Sequence, residues 1–311
     1  NTEITRYVTW VGNRKATIRS NLPADEAGYP VRVLKDAISD GVPSKDLLIT
    51  PEHSLFFEGQ FVPVRMLVNG MSIFYDRTIT DYTYYHIETD PHSVIWADGT
   101  LTESYLDTGN RASFGQHGKV VTLGGRRRSW MEDGGATLTV SREVVEPLFR
   151  DIASRAVQSG HENVSNNKVL TDDADFHLVT DERQIVRCVR EAEGFLVFMV
   201  PSNAAEVRLV SRASRPSDVV GPFVDDRRRL GVLVGDITLY DARKPYRIDA
   251  HLTEETLCGW HAVEEGVRRW TDGDAVLPLG ESRPGNASLL VIQVLAAGPY
   301  VLTDEGTDEA S

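Results

Sequence analysis

A hydroxyl and an imidazole stand three residues apart in Thr50-Pro51-Glu52-His53, directly after the apolar run Leu47-Leu48-Ile49 and directly before Ser54-Leu55-Phe56-Phe57. A turn between two buried strands can aim both side chains at one point, where a hydroxyl can orient or polarise an amide and an imidazole can protonate its departing nitrogen. The same pair also suits a structural turn in which Thr50 caps the loop and His53 satisfies a buried carbonyl, and Thr-x-x-His alone does not separate the two. Two further histidines follow, His86 within Tyr85-His86-Ile87-Glu88 and then His92. With no cysteine pair and no His-Glu-x-x-His helix beside them, these histidines supply no metal set, and no cofactor is expected.

The elements around them read as β. From Thr5 to Trp96 the apolar runs are short, β-branched and aromatic, and Gly, Pro, Asn and Asp break them at close intervals. Strands are expected at Tyr7–Val11, Val31–Leu34, Asp46–Thr50, Ser54–Phe57, Phe61–Val64, Tyr84–Glu88 and Val94–Ala97, with hairpin turns at Glu58-Gly59-Gln60 and Asp98-Gly99. Ser141 to Gly160 differs. Val144, Val145, Leu148, Phe149, Ile152, Ala153, Ala156 and Val157 fall on one helical face, Ser141 can cap it, Gly160 can end it, and Pro147 falls within its first two turns. The polar stretch His161 to Asp175 has little to bury and marks a domain boundary. Beyond it, apolar runs at Phe195–Val200, Glu206–Val210, Leu230–Val234, Ile237–Tyr240, Leu289–Val294 and Tyr300–Leu302 predict a sandwich. The fold class is therefore mainly β: an all-β domain over 1–140, a linking amphipathic helix and polar linker over 141–175, a β-sandwich over 176–303, and an acidic tail over 304–311.

Composition narrows the partners. A chain of 311 residues, 41% hydrophobic and 25% charged, can form two domains with separate cores. Lys+Arg 33 against Asp+Glu 46 gives a net charge of −13, which opposes attraction to nucleic acid or anionic lipid. The triplets Arg126-Arg127-Arg128 and Arg227-Arg228-Arg229 sit among acids and read as solvated turns or strand edges. No apolar run approaches the roughly 20 residues of a membrane span. The two cysteines, Cys188 and Cys258, allow one bridge at most and no disulfide framework.

Thr50-Pro51-Glu52-His53 is followed by Phe61-Val62-Pro63-Val64-Arg65-Met66-Leu67-Val68-Asn69-Gly70, then Tyr85-His86-Ile87-Glu88, His92 and Ala97-Asp98-Gly99, and then Glu103-Ser104-Tyr105-Leu106-Asp107-Thr108-Gly109-Asn110-Arg111. In this order and spacing the segment from about Tyr7 to Arg111 resembles the bacterial Hedgehog/intein (Hint) domain. In that family a Cys or Ser at the start of the domain attacks the preceding carbonyl and converts a peptide bond into a thioester or ester. The resemblance implies self-catalysed cleavage of an upstream segment of the same polypeptide, with Thr50 holding or polarising the scissile amide and His53 protonating the leaving nitrogen. His86 falls where many inteins carry Asp and is the preferred second acid–base residue, with His92 behind it.

Two departures limit that expectation. Splicing inteins end in His-Asn, and the aligned position here is Glu103-Ser104. Serine cannot form the succinimide that cuts the downstream bond, so full splicing is not expected. The nucleophile block that precedes this region in the family is also absent from the sequence, so the chain by itself is expected to be inactive.

Leu106-Asp107-Thr108-Gly109 matches the aspartic-protease triplet, but one copy gives one carboxylate where that chemistry needs two, and Asn110-Arg111 replaces the apolar strand expected after it. In the second domain Trp260, His261, Glu264, Trp270 and Asp272 suit a sugar site, with indole faces for pyranose rings and carboxylates for hydroxyls. The competing reading puts both tryptophans in the core. This domain is similar to the sandwich that accompanies some bacterial Hint proteins, and a glycan or surface protein is its expected partner. The rival to autoprocessing is a non-catalytic secreted or surface protein with a retired Hint scaffold; a secreted or cell-surface bacterial protein is expected on either reading.

Overall fold

A computed structural model describes residues 4–116, 127–163, 168–241, 245–280 and 287–302. Arg126, the middle of the expected linker and the acidic tail lie outside them. Two compact units account for the chain, one formed by Asn1–Asn166 together with Pro222–Asp225, the other by Asn167–Gly221 and Asp226–Ser311. Among the described residues no helix is long and apolar enough to cross a membrane.

The first unit is built from short strands: β1 (Val8–Lys15), β2 (Val31–Val33), β3 (Leu47–Ile49), β4 (Ser54–Phe57), β5 (Gln60–Pro63), β6 (Ile73–Tyr75), β7 (Thr83–Thr89), β8 (Val94–Ala97), β9 (Thr100–Glu103), β10 (Gly115–Gln116) and β11 (Thr137–Leu138). Two helices join them, α1 (Trp130–Asp133) and α2 (Arg142–Gln158). The strands form three sheets, in the orders β10-β1-β7, β3-β2-β6 and β11-β5-β4-β9-β8. The last carries the site. Its register is pinned by the turns at Glu58-Gly59 (φ 45° and 91°) and Asp98-Gly99 (φ 49° and 80°), both in the left-handed region that a two-residue hairpin between twisted strands requires.

Leu55, Val62, Val64, Met66, Leu67, Val31, Val33 and Ile73 form the main core of this unit, closed by Val145 and Ile152 of α2 and by Phe223. The helix therefore belongs to the first unit, where the sequence suggested a linker. Its length agrees with the apolar spacing, and Gly160 ends it at φ 77°. Two details differ. The Ser141 hydroxyl donates to Glu143 and caps no backbone N–H, and Val157 is 63% exposed because the last turn runs past the core.

A smaller aromatic core joins β1 to the segment after β9. A register shift between Val8 and Trp10 turns the Trp10 ring inward, 4.8 Å from Tyr105 and 6.0 Å from Phe114, with the Arg111 guanidinium 4.9 Å from the ring centroid. Gly12 gives the ring its room, since a Cβ there would lie 2.0 Å from a Trp10 ring atom. Gly12→Ala is expected to displace Trp10 and cost about 1–3 kcal/mol, measured by urea unfolding of the first unit.

The second unit is a β-sandwich. One sheet runs Ile185–Val186, His177–Thr180, Glu206–Val210, Asp274–Pro278; the other runs Cys188–Ala192, Phe195–Val200, Ser288–Ala297, Val232–Tyr240, Arg268–Thr271, Trp260–Glu264, with Pro245–Arg247 also pairing Val232–Tyr240. Leu178, Val207, Leu209, Ala275 and Leu277 of the first sheet share a core with Phe198, Val234, Ile237, Leu290 and Ile292 of the second. Leu230–Val234 and Ile237–Tyr240, expected as two strands, are largely one: Val232–Tyr240 continues through a register shift between Val234 and Ile237. Cys188 and Cys258 are free thiols.

Candidate functional site

The turn between β3 and β4 is held on all sides. The His53 N–H donates to the Thr50 carbonyl at 3.0 Å and closes the Thr-x-x-His segment on itself. The chain after β5 then returns along it: Val64 N–H donates to the His53 carbonyl and Arg65 N–H to the Pro51 carbonyl, each at 3.0 Å. The buried Arg65 guanidinium adds ion pairs to Glu52 at 3.0 Å and Asp225 at 2.9 Å. Because Val64–Leu67 is buried, this clamp fixes the backbone of the turn that carries His53.

Thr50, partly exposed, opens the turn, and His53 (side chain 16% exposed) closes it. The His53 ring lies near-parallel to His86 of β7, centroids 5.6 Å apart and planes 24° from parallel. His86 is itself boxed by Tyr84, Tyr105 and Phe114 at 5.5, 5.2 and 5.1 Å, and its buried Nδ1 has no hydrogen-bond partner among the described residues. The carboxyl of Glu103, at the end of β9, lies 3.9 Å from His53 Nδ1. One Glu103 oxygen accepts the Ser54 N–H at 2.6 Å, so the carboxyl is anchored to the residue after His53.

Burial sets the protonation states. Desolvation, with the neighbouring His86 and more weakly His92, pulls His53 down to about 3, against the opposing pull of the Glu103 backbone carbonyl. Desolvation alone takes His86 down to about 4. The Glu103 carboxyl is pushed up to about 7 by burial, only partly offset by its bonds to Ser54. Near neutral pH the site therefore holds two neutral imidazoles and a carboxyl close to its midpoint.

This has a consequence for stability. The unfolded chain protonates its histidines near 6.5 while the folded state resists until about 3–4, so the two His contributions are intact above pH 6.5 and disappear as pH falls. Glu103 runs the other way and gains stability as pH drops from about 7 to its unfolded value of 4.5. From 6.5 to 4.5 the losses at the histidines, to which His92 adds in the same direction, outweigh the single gain at Glu103, and below 4.5 the gain is exhausted. Urea midpoints from pH 8 to 4 are expected to fall below pH 6.5, and to fall less steeply in His53→Gln.

His92 is placed differently. Its Nε2 meets the Ser104 carbonyl at 2.8 Å and its Nδ1 accepts the Gly135 N–H at 2.8 Å, so both ring nitrogens are engaged by backbone. It is 3% exposed and ties Ser104 to the segment after α1, a bracing position with no free nitrogen for proton transfer. Ser104 is likewise occupied, its hydroxyl accepting from Thr89 Oγ1 and from Ser93 N–H, both at 3.0 Å. Asp107 of the Asp-Thr-Gly triplet pairs with Arg111 at 2.9 Å and accepts the Gly109 N–H at 3.0 Å, which makes the triplet a charged turn. The residue that the chemistry-bearing pattern missed is Glu103. Among the described residues no group of three or more His, Cys, Asp or Glu side chains could hold a metal ion.

The sugar-site residues of the second unit do not share one surface. Trp260 is 9% exposed, belongs to the core, donates its indole N–H to the Val276 carbonyl at 2.7 Å and rests on His251 at 5.2 Å, so it corrects the expectation of an indole platform. Trp260 pairs with Thr271 across the hairpin, and strand alternation puts the neighbouring Trp270 on the opposite face. His261 Nε2 meets the Arg229 carbonyl at 2.7 Å, Glu264 pairs with Arg228 at 3.0 Å, and the Asp272 carboxylate accepts the Asp274 N–H at 3.0 Å.

No curated protein and no solved structure matches the chain. Residues 1–109, which carry the turn, β7 and Glu103, match the family model described as a Hint domain.

Proposed function

We propose that the first unit is the acid–base part of an autoprocessing Hint domain, acting on the peptide bond that joins an upstream segment of the same polypeptide. The observation that carries this reading is the convergence of His53, His86 and Glu103 beside the Thr50 turn in a partly closed, mostly desolvated site. Thr50 holds the scissile amide, and a hydroxyl or thiol at the junction attacks its carbonyl in an N–O or N–S acyl shift. His53 delivers a proton to the departing nitrogen, with neutral His86 stacked beside it. Neither cysteine of the chain serves as that nucleophile, because the acyl shift uses a side chain at the junction itself and positions 188 and 258 lie far downstream of it. Ser104 in place of the asparagine of splicing inteins restricts the outcome to cleavage or acyl transfer.

The test is to express the chain with its natural upstream sequence and follow fragment masses with time, with and without added hydroxylamine. Cleavage at one junction, faster with hydroxylamine because it captures an ester or thioester, is the expected result. An intact precursor under both conditions, or cleavage that hydroxylamine leaves unchanged, counts against an acyl intermediate.

A further inference from the structure

Glu103 is costly to bury and is not held there by a cation. Two other buried acids nearby, Glu88 and Asp107, meet Arg111 at 2.5 and 2.9 Å. Glu103 is 7% exposed, and among the described residues its carboxyl forms no pair with Lys or Arg; the titratable side chain it faces is the neutral His53 imidazole, 3.9 Å away. Its hydrogen bond from Ser54 needs only an acceptor, which a glutamine amide would supply equally well without the burden of an ionisable group. The carboxyl is thus explained by its proton rather than by its fit.

We propose that Glu103 is the positioning residue of this site, orienting the His53 imidazole and resupplying it with a proton during acyl transfer. The proposal rests on the acyl-transfer reading above. In that step a C–O or C–S bond forms to the attacking hydroxyl or thiol and the amide C–N bond breaks. The freed nitrogen takes a proton from His53, His53 takes one from the Glu103 carboxyl, and the proton released by the nucleophile restores Glu103. The balance is that of an isomerisation, with no external oxidant or reductant. The 3.9 Å gap lies outside hydrogen-bond range, as catalytic pairs often do before substrate engages. The titratable groups facing the pair are His86 on β7, stacked on His53, and His92 ahead of β8; burial lowers both below the usual histidine range, which leaves Glu103 as the proton source at neutral pH.

Two measurements test this on the same variants. In the 311-residue chain, the His53 ring nitrogen signals, assigned by their loss in His53→Gln, are expected to show an inflection near pH 7 that disappears in Glu103→Gln. An inflection that persists in Glu103→Gln, or is missing from the wild type, overturns the coupling. In the precursor, Glu103→Gln is expected to keep a urea midpoint at pH 8 at least as high as the wild type's, to cleave at least tenfold more slowly below pH 7 and to lose its pH dependence there, while Glu103→Asp recovers part of the rate. A Glu103→Gln precursor with the wild-type rate and profile overturns the role. If the wild-type precursor does not cleave at all, the acyl-transfer reading fails, and the His53 titration decides the coupling independently.

Discussion

Release of the upstream segment by a His53→Ala precursor is expected to be slower than wild type by about 10²–10⁴-fold, the usual worth of a positioned general acid or base. Folding is expected to survive, because the bonds that fix this turn run through backbone groups and Arg65: His53 N–H to Thr50, Val64 N–H to His53, Arg65 N–H to Pro51. Alanine keeps each of them. What is lost is the ring stacked on His86 and facing Glu103. His92→Ala is the contrasting case, since its ring nitrogens engage Ser104 and Gly135; its effect is expected in the urea midpoint, with the rate following the folded fraction. Fragment release followed by mass spectrometry, together with unfolding curves for both variants, checks the pair. A His53→Ala precursor that releases its segment at the wild-type rate removes the imidazole from the mechanism.

Arg269→Leu is expected to produce the largest loss of stability in the second unit, about 3–5 kcal/mol, on the scale of leaving several buried carbonyls without a donor. The guanidinium is 2% exposed, and among the described residues it forms no ion pair. Its N–H groups donate to the carbonyls of His251, Glu254 and Glu255 at 2.9, 2.8 and 3.0 Å, and also to the His261 carbonyl. Desolvation lowers its pKa, against the opposing field of Glu255. These carbonyls belong to the short helix Ala250–Thr253, the chain just after it, and the strand Trp260–Glu264, so one side chain fastens three segments. Leucine supplies bulk and no donors, leaving several buried acceptors unsatisfied. Arg269→Lys is expected to recover only part of the loss, because a point ammonium cannot span the same fork of acceptors. Thermal unfolding of the second unit checks both.

The all-β character and most first-unit strands were readable because β-branched and aromatic runs there are short and punctuated by turn residues whose backbone angles are nearly obligatory, as at Glu58-Gly59 and Asp98-Gly99, whereas the short strands Ile73–Tyr75, Thr100–Glu103, Gly115–Gln116 and Thr137–Leu138 were not named. Thr50, His53 and His86 were readable as a set through the order of the elements around them. Glu103 was not, because its meaning depends on Ser54, 49 positions away, and nothing local distinguishes a buried carboxyl from a solvated one. His92 carries the same residue type as His53, and only its two backbone partners separate a brace from an acid–base group. In the second unit Cys188–Ala192 and Arg268–Thr271 were passed over because Arg190, Glu191 and Arg268 interrupt the apolar alternation; both strands owe their place to pairing with longer neighbours. Trp260 and Trp270 looked like a platform in one dimension and are divided by strand alternation in two.

The four residues Pro222–Asp225 belong to the first unit although the chain around them belongs to the second. Phe223 fills part of the first core against Phe149, 5.1 Å between rings, and Asp225 supplies one of the two carboxylates on Arg65. A gene rearrangement with its breakpoint in the polar stretch near residue 166 would look clean on paper. It would leave the first module with a phenylalanine-sized hole and half a clamp on the very turn that presents His53. The two modules are thus not interchangeable beads on a string: inheritance of the first requires a short passage written inside the second.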